Sequence, residues 1–175
     1  MKHLLFTCSI LMVVLGSCNN NKGEHTKEGK RVIENSSLQG ATGSIMQLDE
    51  RLNGIDSLVF VFYKDPHGQD SLRYTRYYKQ YHSTDTGLIQ LLKHNLGNKT
   101  ERLEKIKNCR SEGKIWCFAK GDVFQTIYFS AHNKDCSFVY IIKNGQFYYS
   151  SMNKGLAGEL ARLQPLAKES ANQGK

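Results

Sequence analysis

The chain has 175 residues, with 24 Lys and Arg against 16 Asp and Glu, giving a formal charge of +8 at neutral pH. That length suits one domain plus a tail, and no stretch beyond the first residues is apolar enough to span a bilayer, which takes about 20 such residues. Lys2 is the only Lys or Arg before residue 22, so the positive excess belongs to the body of the chain and favours acidic partners.

Lys2 and His3 are followed by an apolar run from Leu4 to Leu15. A short basic start, an apolar core of roughly 7–15 residues and small residues at its end make a secretory signal. Leu15-Gly16-Ser17-Cys18 resembles the lipobox of bacterial lipoproteins. The resemblance implies cleavage after Ser17, lipid on the Cys18 thiol and a mature protein that begins there. Each buried CH₂ contributes about 0.8 kcal/mol, so the multiple acyl chains of such proteins hold stably where one would not. Asn19 rather than Asp follows the cysteine, which points to the outer membrane, and the lack of a dense acidic run directly after Cys18 points to its periplasmic face. An exported chain is not expected to meet nucleic acid, which leaves lipid headgroups, anionic glycans or acidic proteins as partners.

Residues 19–43 are polar and carry few apolar side chains, so the reading is signal peptide over 1–17, then lipidated Cys18 and a disordered tether over 18–43. A flexible segment of this length reaches roughly 25–30 Å. The globular domain is expected over 44–168, followed by a polar tail over 169–175. Ser44–Asn53 suggests a short helix, with Ile45, Leu48 and Leu52 on one face. Ser57–Tyr63 (SLVFVFY) is apolar on both faces and predicts a buried strand. Turn chemistry at Pro66–Asp70 leads to a second strand over Ser71–Tyr78. A helix capped by Ser83 or Thr84 runs to Leu96, and the charged stretch Lys99–Asn108 suggests a helical turn or two.

Four strands follow, over Lys114–Ala119, Asp122–Ser130, Cys136–Lys143 and Gln146–Ser151. Asn144-Gly145 is the strongest hairpin signal. Leu156, Leu160 and Leu163 space a last helix that ends at Pro165. The predicted fold is α+β: a single two-layer domain with a mostly antiparallel sheet of about six strands and two main helices on one face. Beyond its signal the pattern resembles the small lipoproteins of Gram-negative envelopes.

Of five cysteines, Cys8 leaves with the signal and Cys18 takes lipid. Cys109, Cys117 and Cys136 remain in an oxidising compartment. Positions two strands apart are about 10 Å from one another, beyond the roughly 7 Å that a disulfide spans. Cys117 lies mid-strand, shielded from Cys136 by the intervening strand. Cys109 and Cys136 fall at the same end of the sheet, so Cys109–Cys136 is the expected bridge. Cys117 alternates with Ile115 and Ala119 and reads as a small buried hydrophobe; the other reading is a thiol nucleophile with a His as base.

Neither Cys-x-x-Cys nor Gly-x-Ser-x-Gly, His-Glu-x-x-His or a phosphate-cradling glycine loop is present. His67, His82, His94 and His132 fall in loops or at a helix end, and His132 with Cys136 is a lone pair. No metal, cofactor or catalytic set is therefore expected. In the second strand, alternation sends Arg73, Thr75, Tyr77, Lys79 and Tyr81 to one side. If the other side joins the core, Arg73, Tyr77, Lys79 and Tyr81 form an outward basic and aromatic stripe, fit for an acidic glycan, lipid headgroup or protein. A plain solvent-facing strand would also carry such residues. The leading functional expectation is a lipid-anchored, non-enzymatic binding module. The alternatives are a periplasmic inhibitor or immunity-type protein using the loops at Pro66–Asp70 or His132–Asp135, and a thiol-dependent enzyme.

Overall fold

The computed structural model of the protein describes residues 41–69, 75–132 and 134–169. The signal, Cys18 and most of the tether lie outside them, as does Arg73. The order of elements is β1 (Ala41–Ser44), α1 (Ile45–Leu48), a 3₁₀ turn (Glu50–Gly54), β2 (Ser57–Tyr63), β3 (Tyr78–Ser83), α2 (Thr86–Leu96), β4 (Lys99–Leu103), β5 (Gly113–Ala119), β6 (Asp122–Ser130), β7 (Phe138–Lys143), β8 (Gln146–Ser151), α3 (Lys154–Leu163) and β9 (Lys168–Glu169), with further 3₁₀ turns at Lys134–Cys136 and Gln164–Leu166. The nine strands form one sheet in the order β1-β4-β8-β7-β6-β5-β2-β3-β9, and the described pairings are antiparallel. The fold is α+β, with nine strands in place of about six. Among the described residues, no helix is long and apolar enough to cross a membrane.

The three additional strands are β1, β4 and β9. β4 is the stretch expected to be helical. Its residues are charged because one side stays wet, yet Thr100 is buried and donates its hydroxyl to the Gly43 carbonyl at 2.8 Å, joining β4 to β1. Ala41–Gly43, expected at the end of the tether, therefore belong to the sheet. β3 is also displaced: the described strand is Tyr78–Ser83, residues 75–77 of the expected Ser71–Tyr78 are turn and bend, and 71–74 lie outside the described residues. Its register sets Tyr81 opposite Phe60 and Gln80 opposite Val61, so an aromatic cross-strand pair fixes the alignment.

The helix expected over Ser44–Asn53 is one α-turn closed by a Ser44–Gln47 capping box, followed by the 3₁₀ turn capped by Asp49. α2 starts one step later than expected, because the Asp85 carboxylate accepts the Gly87 N–H at 2.8 Å and so supplies the cap. The tight hairpins are as the dipeptides require: Lys120-Gly121 and Asn144-Gly145 all adopt positive φ.

One core joins Leu58, Phe60, Phe62, Ile115, Ile127, Val139 and Ile141 of the sheet to leucines of α2 and α3. Asn95 of α2, fully buried, ties the layers: its carboxamide oxygen accepts the Asn153 N–H at 2.7 Å, and its amide donates to the Ser151 carbonyl at 3.3 Å. On the opposite face, Val59, Val61 and Tyr63 pack with Tyr78, Trp116 and Phe118. Further along that face Phe138, Tyr140 and Tyr149 pack with Leu103, Tyr128, Phe147 and both bridged cysteines.

Candidate functional site

Cys109 and Cys136 are joined, with Cα atoms 5.8 Å apart. Cys109 precedes β5 and Cys136 closes the turn before β7, so the bridge crosses the rim beyond β6. Cys117 is fully buried on the helix-bearing face, opposite Leu58. Burial pushes its thiol up to about 12, with the Asp49 carboxylate adding a smaller push. A nucleophilic thiolate needs the reverse shift and access to substrate, so the core role describes this residue.

Of the expected stripe, Tyr77 and Lys79 are exposed, Tyr81 is half-buried and Arg73 lies outside the described residues. Tyr77 is 54% exposed just before β3, with the Arg76 guanidinium 5.7 Å from its ring centre. Lys79 and Tyr81 lie opposite Phe62 and Phe60, on the helix-bearing side. Tyr81 is half-buried against the core there. The register of the strand is the cause, since it sets Tyr81 across from Phe60 on the core face. Lys79 instead borders a cleft of about 490 Å³ with Lys64, Phe62, Tyr63, Pro165 and Glu169. The Lys64 ammonium meets the Glu169 carboxylate at 2.5 Å, and holds that carboxyl below its ordinary range.

No family model, curated protein or solved structure matches the chain. Its chemistry is therefore read from its own side chains.

A second cleft of the same size, about 490 Å³, opens beside β4 and β8, where Lys99, Lys107 and Lys134 stand among Glu101, Phe138 and Tyr149. Lys107 is already engaged: its ammonium meets Glu101 at 2.7 Å and lies 5.1 Å from the Tyr149 ring centre. Its backbone N–H donates to the Tyr149 hydroxyl at 3.0 Å.

The third feature is a cluster that the sequence reading left as separate loop residues. His67, in the β2–β3 connection, and His132, after β6, have ring centres 4.2 Å apart. Glu112, just before β5, brings a carboxylate oxygen 3.4 Å from His67 Nε2. One donor atom of each residue lies within 4.8 Å of the other two. The signal that leads to it is the β5–β6 hairpin, whose register sets Glu112 and His132 at one end of the sheet, with the Cys109–Cys136 bridge bracing the segments that flank them.

Proposed function

We propose that this chain is a lipid-anchored protein of the bacterial cell envelope, held through acyl chains on Cys18, whose domain binds an anionic partner without catalysing its conversion. The anchor reading rests on Leu15-Gly16-Ser17-Cys18 at the end of an apolar leader. The observation that carries the binding reading is the cleft between β3 and the end of α3, where Lys64 and Lys79 flank the apolar edges of Phe62 and Pro165. An incoming carboxylate or phosphate would meet Lys79 and compete with Glu169 for Lys64, while the exposed Tyr77 ring offers a stacking surface nearby. The excess of Lys and Arg over Asp and Glu in the body of the chain draws anions towards it over a range set by salt.

The test has two arms. Labelled palmitate should enter the wild type and not Cys18→Ser, which should leave the membrane fraction. Cys18→Ser itself should bind phosphatidylglycerol vesicles or a soluble polyuronate, and leave phosphatidylcholine vesicles alone. Adding Lys64→Ala, Tyr77→Ala and Lys79→Ala should weaken that binding by about tenfold or more, since each lost charge-assisted contact is worth roughly 1.5–3 kcal/mol before solvent screening. Equal binding by both proteins would discard the cleft. A periplasmic inhibitor that plugs an acidic partner is the second reading, favoured by the meeting of two loops at His67 and His132. A photo-crosslinker at Gln69 capturing a partner that one at Tyr77 misses would select it.

A further inference from the structure

We propose that His67, Glu112 and His132 form a binding site for a divalent transition-metal ion of the zinc class, braced by the Cys109–Cys136 disulfide and independent of the anchor. Two imidazoles and a carboxylate are a common donor set for zinc, and they leave a coordination position open to water or an outside ligand. Donor atoms around tetrahedral Zn²⁺ at about 2.0–2.2 Å stand roughly 3.4 Å apart. The three donors here already lie within 4.8 Å of one another, and His67 Nε2 to Glu112 Oε1 is 3.4 Å. Both rings are exposed, so small side-chain rotations complete the geometry without moving backbone.

The backbone is fixed for this purpose from several directions. The main chain of Glu112 extends the ladder on both sides: Tyr63 N–H donates to its carbonyl at 2.9 Å, and its own N–H donates to the Phe129 carbonyl at 2.9 Å. Next to it, a Cβ on Gly113 would collide with the Val61 carbonyl and the Phe129 ring, so β2, β5 and β6 close up around the glycine. Arg110 donates to the carbonyls of Pro66 and Gly68, at 3.3 and 2.6 Å. Those two carbonyls bracket His67. Ser111 and Tyr140 share a buried hydroxyl bond at 2.8 Å. Finally, the disulfide locks the segment of Cys109, which leads into Glu112, to the turn at Cys136, which follows His132. Supporting contacts of this kind are what hold metal ligands in place before the ion arrives.

The experiment uses the full chain, purified in detergent, stripped with chelator and titrated with Zn²⁺ by calorimetry. One Zn²⁺ per chain is expected. His67→Ala, His132→Ala and Glu112→Gln should each weaken binding by at least about tenfold, because even supporting residues of metal sites are worth 10–100-fold. His82→Ala with His94→Ala should leave affinity unchanged, and Cys109→Ser with Cys136→Ser should lower it. On the unmutated protein, Zn²⁺ should shift the imidazole resonances of His67 and His132 and leave those of His82 and His94 in place, a readout that no folding defect can mimic. Absence of saturable binding, or the same affinity after His67→Ala and His132→Ala, overturns the site.

Discussion

On one face of the sheet, Phe60, Ile115, Ile127 and Ile141 lie in one core with leucines of α2 and α3. On the other, Phe138, Tyr140 and Tyr149 are packed against Cys109 and Cys136, with Lys107 above two of the rings. The first face is sealed by regular helices and non-directional apolar contact. The second is sealed by a segment without regular structure, held by one disulfide, an ammonium over aromatic rings and hydroxyl bonds at Tyr140 and Tyr149. The difference teaches where rigidity comes from. Leucines at helical spacing need only exclude water, whereas an irregular cover must have its polar groups satisfied one by one, and it carries chemical groups to the rim as it does so. The candidate metal ligands stand at the end that the stapled segment organises.

The largest expected effect tests the helix-bearing face. Phe60 is fully buried, and Phe60→Ala should cost about 3–5 kcal/mol in transfer and cavity terms, a large share of a typical domain stability of roughly 5–15 kcal/mol. The urea midpoint measures it. A loss below about 1 kcal/mol would mean that this core repacks freely. Next comes the staple. The bridge spans a sequence separation of 27, worth roughly 3–4 kcal/mol as an upper estimate in the chain-entropy model. Cys109→Ser with Cys136→Ser should lower stability by at most that amount. Hydrogen exchange at Lys107–Ser111 should accelerate well before exchange in α2 does. Equal acceleration in both regions would erase the distinction between the two covers.

The centre of the sheet was legible in the sequence because its strands carry strong local signals. SLVFVFY is apolar on both faces and lies buried inside the sheet, between β5 and β3, and Asn144-Gly145 turns as its dipeptide requires. The margins were not. β4 reads KTERL and buries only Thr100 deeply, so its pairing depends on neighbours on either side and leaves no apolar period. β3 carried an alternation, but its register is chosen by Phe60 across the ladder, a contact that local turn chemistry cannot reveal. That displacement also draws Tyr81 against the core while Tyr77 and Lys79 stay exposed. The histidine cluster has no sequence period at all, since its members come from three connections. Two of them are near in the sequence pattern all the same, because the β5–β6 hairpin pairs Gly113 with Phe129 and so sets Glu112 and His132 at one end of the sheet.

The smallest effects are at alkaline pH, where each face carries a buried acid whose ionisation the fold resists. On the helix-bearing face it is Cys117, raised from 9.0 to about 12 chiefly by burial. On the aromatic face it is Tyr149, raised above 10.0 chiefly by burial, with Glu101 adding to the rise and the Lys107 N–H opposing it. An acid whose folded pKa exceeds its unfolded value stays protonated longer in the native state. The unfolded chain therefore binds fewer protons across that interval, and stability falls as pH rises. Each contribution is complete below the unfolded pKa and lost on the way up to the folded one. Cys117 should begin to act near pH 9 and Tyr149 near pH 10. Denaturation midpoints followed from pH 8 to pH 11 should decline with an early limb that Cys117→Ala removes. The shallower later limb should go with Tyr149→Phe, which also costs about 1 kcal/mol at neutral pH through the lost bond to Lys107. If both variants track the wild type in parallel across this range, the two faces do not differ in the groups that make them sensitive to base.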